Sequence, residues 1–119
     1  MCYSKRTVLE VVNMQIFDEK AHEREVRIHI GEVFEIVLPE NPTTGFRWSL
    51  EASGEPLCSL LDDHFESAPQ NLPGQGGYHF WHFKAVQVGS GNITLAYRRS
   101  WEGTETPARR FTLRVHTVA

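Results

Sequence analysis

Apolar and polar residues alternate with a period of two along most of this 119-residue chain. That alternation marks strands with one face in a core and the other in water. Val26, Ile28 and Ile30 alternate with Arg27 and His29, and Phe46, Trp48 and Leu50 with Arg47, Ser49 and Glu51. The same pattern sets Ile93, Leu95 and Tyr97 against Thr94, Ala96 and Arg98, and Phe111, Leu113 and Val115 against Thr112, Arg114 and His116. Thr7–Val12 and Val33–Leu38 read as two further strands, the second apolar enough to be central. In the run from Tyr78 to Val88, Trp81 and Phe83 share one face while Tyr78, Phe80 and His82 share the other. A strand apolar on both faces is central or lies beneath a loop. Gly89-Ser90-Gly91 then reads as a hairpin turn before the next strand. Helical spacing is best at Pro56–Asp63, where Leu57, Leu60 and Leu61 predict a helix of a turn or two.

Seven to eight short strands with turn signals between them predict an all-β fold, an immunoglobulin-like β-sandwich. Residues 1–119 read as a single domain with no internal repeat, low-complexity tract or linker. In such a sandwich the B–C, D–E and F–G loops gather at one end. Counted from Arg24, these loops are Asn41–Gly45, Leu72–Gly77 and Arg99–Ala108, so three loops are expected on one rim.

The composition is that of a soluble globular protein, with 40% hydrophobic and 23% charged residues. A formal net charge of −3 gives no electrostatic footprint for nucleic acid or an anionic membrane. No segment approaches the roughly 20 apolar residues of a membrane helix. As written the chain is expected in the cytoplasm; a protein whose export signal had been removed would look the same and be periplasmic or secreted. Cys2 and Cys58 are expected as two free thiols. His79 and His82, three apart, fall on opposite faces of a strand, and the other histidines are scattered, so no zinc set is assembled. Asp62-Asp63-His64 reads as a solvated turn. Ser90 lacks the nucleophile elbow of a hydrolase, and no carboxylate pair has catalytic spacing. Neither an enzyme, a metal site nor a cofactor is expected.

The chemistry resides in the loops. In Asn41-Pro42-Thr43-Thr44-Gly45-Phe46, Pro42 fixes its own φ and pushes Asn41 towards extended geometry, while Gly45 can adopt the positive φ of a tight turn. Thr43 and Thr44 are stiff at χ1, so their hydroxyls form a preformed polar tip suited to another molecule's groove. Gly74, Gly76 and Gly77, with Gln75 between, leave backbone groups bare for strand-like pairing with a partner. Arg99-Ser100-Trp101 ends a strand, and Trp101 is either an interface anchor or a cap on the core.

The three segments, in this order and at these separations, resemble the chagasin family of cysteine protease inhibitors, whose loops read N-P-T-T-G-[YF]-x-W, G-x-G-G and R-P-W. The first two match in full; the third has Ser100 where the family usually has proline. The resemblance implies reversible, competitive, one-to-one inhibition of a papain-like, cathepsin-like cysteine protease by a monomer. It places Asn41–Phe46 over the catalytic cysteine, with Thr43 and Thr44 nearest. Gly74, Gln75, Gly76 and Gly77 on one side, and Arg99, Ser100 and Trp101 on the other, would grip the cleft walls. Two other readings compete: a carbohydrate-binding module stacking sugars on Tyr78, Trp81 and Trp101, or an immunoglobulin-like interaction domain. A sugar platform calls for flat exposed aromatics rather than glycine-rich and threonine-tipped loops.

Overall fold

The computed structural model describes residues 14–67, 76–99 and 107–119. Among them the alternating segments form eight strands: β1 Gln15–Phe17, β2 Glu25–His29, β3 Val33–Glu40, β4 Phe46–Ser53, β5 Cys58–Ser67, β6 Gly77–Ala85, β7 Gly89–Arg99 and β8 Arg109–Val118. They make two four-stranded sheets, ordered β1-β3-β6-β5 and β2-β8-β7-β4. This is the expected immunoglobulin-like sandwich. The expected strand at Thr7–Val12 lies outside the described residues.

The inward phase of each strand supplies the core. Phe34, Ile36 and Leu38 of β3 and Trp81, Phe83 and Ala85 of β6 face Ile28, Trp48, Ile93, Leu95, Phe111, Leu113 and Val115 of the second sheet, all buried. Phe34 stacks on Phe83 with centroids 5.6 Å apart. β3 and β6 are interior strands paired on both sides, which is why they carry the densest apolar runs.

Four local expectations need correction. Pro56–Asp63 is no helix: Cys58 opens the ten-residue strand β5, and Asp62-Asp63-His64 lies within it rather than in a turn. The register against β6 runs Cys58↔Ala85, Leu60↔Phe83, then Asp62↔His82 and Asp63↔Trp81. That one-residue bulge at Leu61 breaks the period of two, and the apolar spacing across a bulge mimics a helical one. Gly89-Ser90-Gly91 is not a hairpin turn either. β7 begins at Gly89, and β6 and β7 belong to different sheets, so residues 86–88 carry the chain across the sandwich. Ile30 lies beyond the end of β2 and is 39% exposed: its amide still bonds the Val118 carbonyl at 2.8 Å, but the chain turns at Gly31.

Strand register brings the loop-bearing ends together. In one sheet Glu40 pairs with Gly77, and Gly77 with Ser67; in the other Phe46 pairs with Arg99, and Tyr97 with Arg109. The β3–β4, β5–β6 and β7–β8 connections therefore leave from one end of the sandwich. β7 keeps Arg99 and β6 keeps Gly77, so these two residues of the expected loops are strand residues.

Candidate functional site

The β3–β4 loop is a single 3-10 turn, Pro42–Thr44, closed at both ends by its own sequence. Asn41 is extended (φ −124°, ψ 88°), as a residue before proline should be, and caps the turn by accepting the Thr43 N–H on Oδ1 at 3.3 Å. Gly45 ends it in the left-handed region at φ 86°, a conformation that penalises any Cβ. The Thr43 hydroxyl donates to Asn41 Oδ1, and the Thr44 hydroxyl donates to the Asn41 carbonyl at 2.8 Å. The Thr44 and Gly45 amides bond the Asn41 and Pro42 carbonyls at 3.2 and 2.9 Å. Both hydroxyl protons are thus spent inside the loop, while Thr43 and Thr44 remain exposed and offer oxygens that accept. The tip is rigid and polar.

Beneath it runs a stack of rings and guanidinium groups. Arg99 lies over the Phe46 ring at 4.7 Å, Phe46 stacks on Tyr97 at 5.2 Å, Tyr97 tilts against Trp48 at 4.8 Å, and Arg109 lies 5.7 Å above Trp48. Tyr97 accepts the Asn41 N–H on its hydroxyl at 3.1 Å, and Trp48 donates its indole N–H to the Pro39 carbonyl at 2.8 Å. Phe46 thus supports the loop as well as flanking it. Further out, Glu51 bridges Arg98 at 2.7 Å and Arg110 at 3.0 Å. The Arg110 hydrogen bond, with the charge of both arginines, holds the Glu51 carboxyl below its ordinary value against a smaller opposing effect of burial.

Glycine serves the neighbouring loop by being small. A Cβ on Gly76 would sit 2.5 Å from the Glu40 carbonyl and 3.0 Å from Asn41 Cα, and one on Gly77 only 2.0 Å from the Glu66 carbonyl. Gly76 lets the second loop's end press against the base of the first, and Gly77 lets β6 close on β5 where that loop leaves the sheet. A groove of about 290 Å³ opens there, lined among others by Glu40, Asn41, Gly76, Tyr97 and Arg109. Gly74, Gln75, Ser100 and Trp101 lie outside the described residues. Of the expected site, the structure brings together Asn41–Phe46, Gly76, Gly77 and Arg99.

Sequence reading missed one group beside this site. Glu40 occupies the inward phase of β3 after Phe34, Ile36 and Leu38, and only 2% of it is exposed. Its Oε2 accepts the Trp48 backbone N–H at 2.7 Å, and its Oε1 meets His79 Nδ1 at 3.0 Å. His79 Nε2 meets Asp63 at 2.6 Å, and its ring lies flat on Trp81, 4.2 Å between centroids. On the opposite face His82 sits between Glu35 and Asp62 at 2.8 and 2.6 Å. For both histidines burial favours the neutral ring, but the two carboxylate hydrogen bonds and their charge outweigh it and raise the pKa. The legible signal was a charged residue at a core-phase position. Among the described residues no group of three or more His, Cys, Asp or Glu is placed to hold a metal ion.

The surface available for sugar stacking is smaller than the sequence suggested. Trp81 is 3% exposed and pinned by His79, so Tyr78 is the described member of that trio left open. A sandwich that gathers ordered, polar loops on one rim has the form of a protein-binding domain. Residues 27–115 match the profile of the Chagasin family peptidase inhibitor I42, and the chain belongs to this family. It is 33% identical to chagasin of Trypanosoma cruzi over 100 residues, covering 79% of this chain and 90% of chagasin. It is 35% identical to amoebiasin-1 of Entamoeba histolytica over 91 residues, 76% of this chain and 87% of the relative. The crystal structure of the cysteine protease inhibitor EhICP2 from Entamoeba histolytica superposes with a TM-score of 0.75 at 27% identity, covering 88% of this chain and 95% of that one. The function is inhibition of cysteine proteases.

Proposed function

We propose that this protein is a reversible, competitive inhibitor of papain-like cysteine proteases that binds one-to-one as a monomer and fills the cleft with the loops at 41–46, 72–77 and 99–108. The observation that carries this reading is the Asn41–Gly45 turn. A substrate lies in a cleft as an extended segment that pairs like an added strand. A 3-10 turn whose Asn41 and Pro42 carbonyls already accept internal hydrogen bonds offers no such segment to cleave. Because the turn is already ordered, docking costs little conformational entropy, and the surplus appears as affinity. Thr43 and Thr44 then stand nearest the catalytic cysteine. Gly74, Gln75, Gly76 and Gly77 flank them on one side and Arg99, Ser100 and Trp101 on the other. The interface is of standard size, about 800 Å² on each partner.

Titration of active papain, followed by hydrolysis of a fluorogenic substrate, tests this. Competitive inhibition with a rising apparent KM and unchanged kcat is expected, and Thr43→Arg, which crowds the loop tip, should abolish it. Absence of inhibition across a panel of cathepsin-like enzymes at micromolar protein would overturn the reading.

A further inference from the structure

We infer that Glu40, His79 and Asp63 are positioning residues that hold the Asn41–Gly45 loop in its docking conformation, and that they make inhibition stronger in mildly acidic solution than in alkaline solution. The inference rests on the reading that this loop enters the protease.

Glu40 precedes the loop and Trp48 follows it, so the 2.7 Å hydrogen bond from the Trp48 amide to the Glu40 carboxylate closes the loop at its neck. The bond also joins the two sheets, since β3 and β4 belong to different ones. The Glu40 side chain is fully buried. A buried carboxylate is costly unless it is paired and hydrogen-bonded. His79 supplies the pairing, and its geometry specifies the charge state: both ring nitrogens point at carboxylate oxygens, at 3.0 Å for Glu40 and 2.6 Å for Asp63. Neutral imidazole carries one N–H and can satisfy one of them; the imidazolium satisfies both.

The two carboxylates respond differently when the proton leaves. Asp63 has a side chain 45% exposed and can turn to water, whereas Glu40 cannot. The remaining N–H therefore stays with Glu40, the tie to β5 is released, and Glu40 loses its counter-cation. Arg109 of β8 and Tyr97 of β7 line the groove beside Glu40. His79 thus meets Glu40 from β3 and Asp63 from β5, while Arg109 from β8 lines the groove beside Glu40. His82 lies on the far face with its own pair, Glu35 and Asp62. The carboxylates raise the His79 pKa against the opposing effect of burial, so the ring keeps its proton to higher pH than a free imidazole does. A neck that loosens on deprotonation leaves the loop to be ordered during docking, at a cost in affinity.

The test compares wild type with Asp63→Asn, a half-exposed change that spares the core, against papain from about pH 5.5 to about pH 8.5. Taking the ratio of inhibition constants at each pH cancels the protease's own titration. Asp63→Asn should bind about fivefold more weakly than wild type at the acid end, the equivalent of one hydrogen bond, and equally at the alkaline end. In parallel, nitrogen-15 NMR of the free protein should show His79 protonated on both nitrogens at the acid end, with the Thr43 and Thr44 amides shifting at the same midpoint. Glu40→Gln should remove that shared midpoint. A ratio constant across pH, or loop amides indifferent to His79, overturns the inference while leaving inhibition standing. A wild type that inhibits at no pH, with the NMR coupling intact, would instead overturn the functional reading.

Discussion

The carboxylate of Glu40 accepts the backbone N–H of Trp48 at 2.7 Å, tying the strand that enters the proposed inhibitory loop to the strand that leaves it. The residues between them form a closed turn whose polar groups bond mostly to one another. Loop rigidity here is a property of the buried neck as much as of the Asn-Pro-Thr-Thr-Gly sequence.

Glu40→Ala should therefore cost stability, because it leaves the buried Trp48 amide and Nδ1 of His79 without their acceptor. Unsatisfied buried donors cost about 1–3 kcal/mol, so thermal unfolding should begin some 4–8 °C earlier or more. An unchanged melting temperature in calorimetry would show that water replaces the carboxylate.

Stability should also depend on pH with a defined sign. His79 and His82 have folded pKa values raised above their unfolded ones, so the stabilisation they add is complete below about 6.5 and is lost as pH rises through the raised values. Glu51 is lowered from 4.5, so its contribution is present above that value and is lost as pH falls through the folded one. The melting temperature should peak in mildly acidic buffer and decline towards pH 8. The double variant Asp62→Asn, Asp63→Asn should flatten the alkaline side; a melting temperature that climbs from about pH 6 to about pH 8 contradicts the assignment.

Gly77→Ala should impair folding, since the new Cβ would lie 2.0 Å from the Glu66 carbonyl of the paired strand. Overpacking of this kind costs about 1–3 kcal/mol or more. Circular dichroism and expression yield report it. The consequence for design is that a Gly76 or Gly77 variant that fails to inhibit speaks first about folding, and binding must be read from variants elsewhere on the rim.

Trp101→Ala should weaken inhibition about 30-fold, the size of a hot-spot loss near 2 kcal/mol, with the melting temperature nearly unchanged. A large thermal loss would instead place Trp101 in the core. Ser100→Pro should tighten inhibition a few-fold by restricting the free loop. Slower association with no gain in affinity would show that proline does not fit the loop's backbone at position 100.

Cys58 is 1% exposed, and burial pushes its thiol up to about 11. In a Cys2→Ser background a thiol reagent should leave the folded protein unlabelled at neutral pH and label one site after denaturation. Rapid labelling of the native protein would show that the β5 end of the core opens.

Local rules and tertiary pairing divided the work unevenly. Alternation at Phe46–Leu50, Ile93–Tyr97 and Phe111–Val115 was enough to announce a sandwich, because a strand with one buried face has no other way to distribute its side chains. The Asn41–Gly45 turn was equally legible, since Asn caps, Pro initiates and Gly terminates through their own backbone preferences. The β5 bulge was not: the two-against-one pairing at Leu61 depends on where β6 lies, and from within the segment it looks helical. The assignment of Gly89 to a strand was hidden for the same reason, as sheet membership is a relation between distant segments. Glu40, His79 and Asp63 are 39 and 16 residues apart along the chain, measured from His79. No local preference draws two carboxylates to one imidazole. That contact exists because register in the first sheet sets β3, β6 and β5 side by side, and because a charge carried into the core by strand phase must find its partner there.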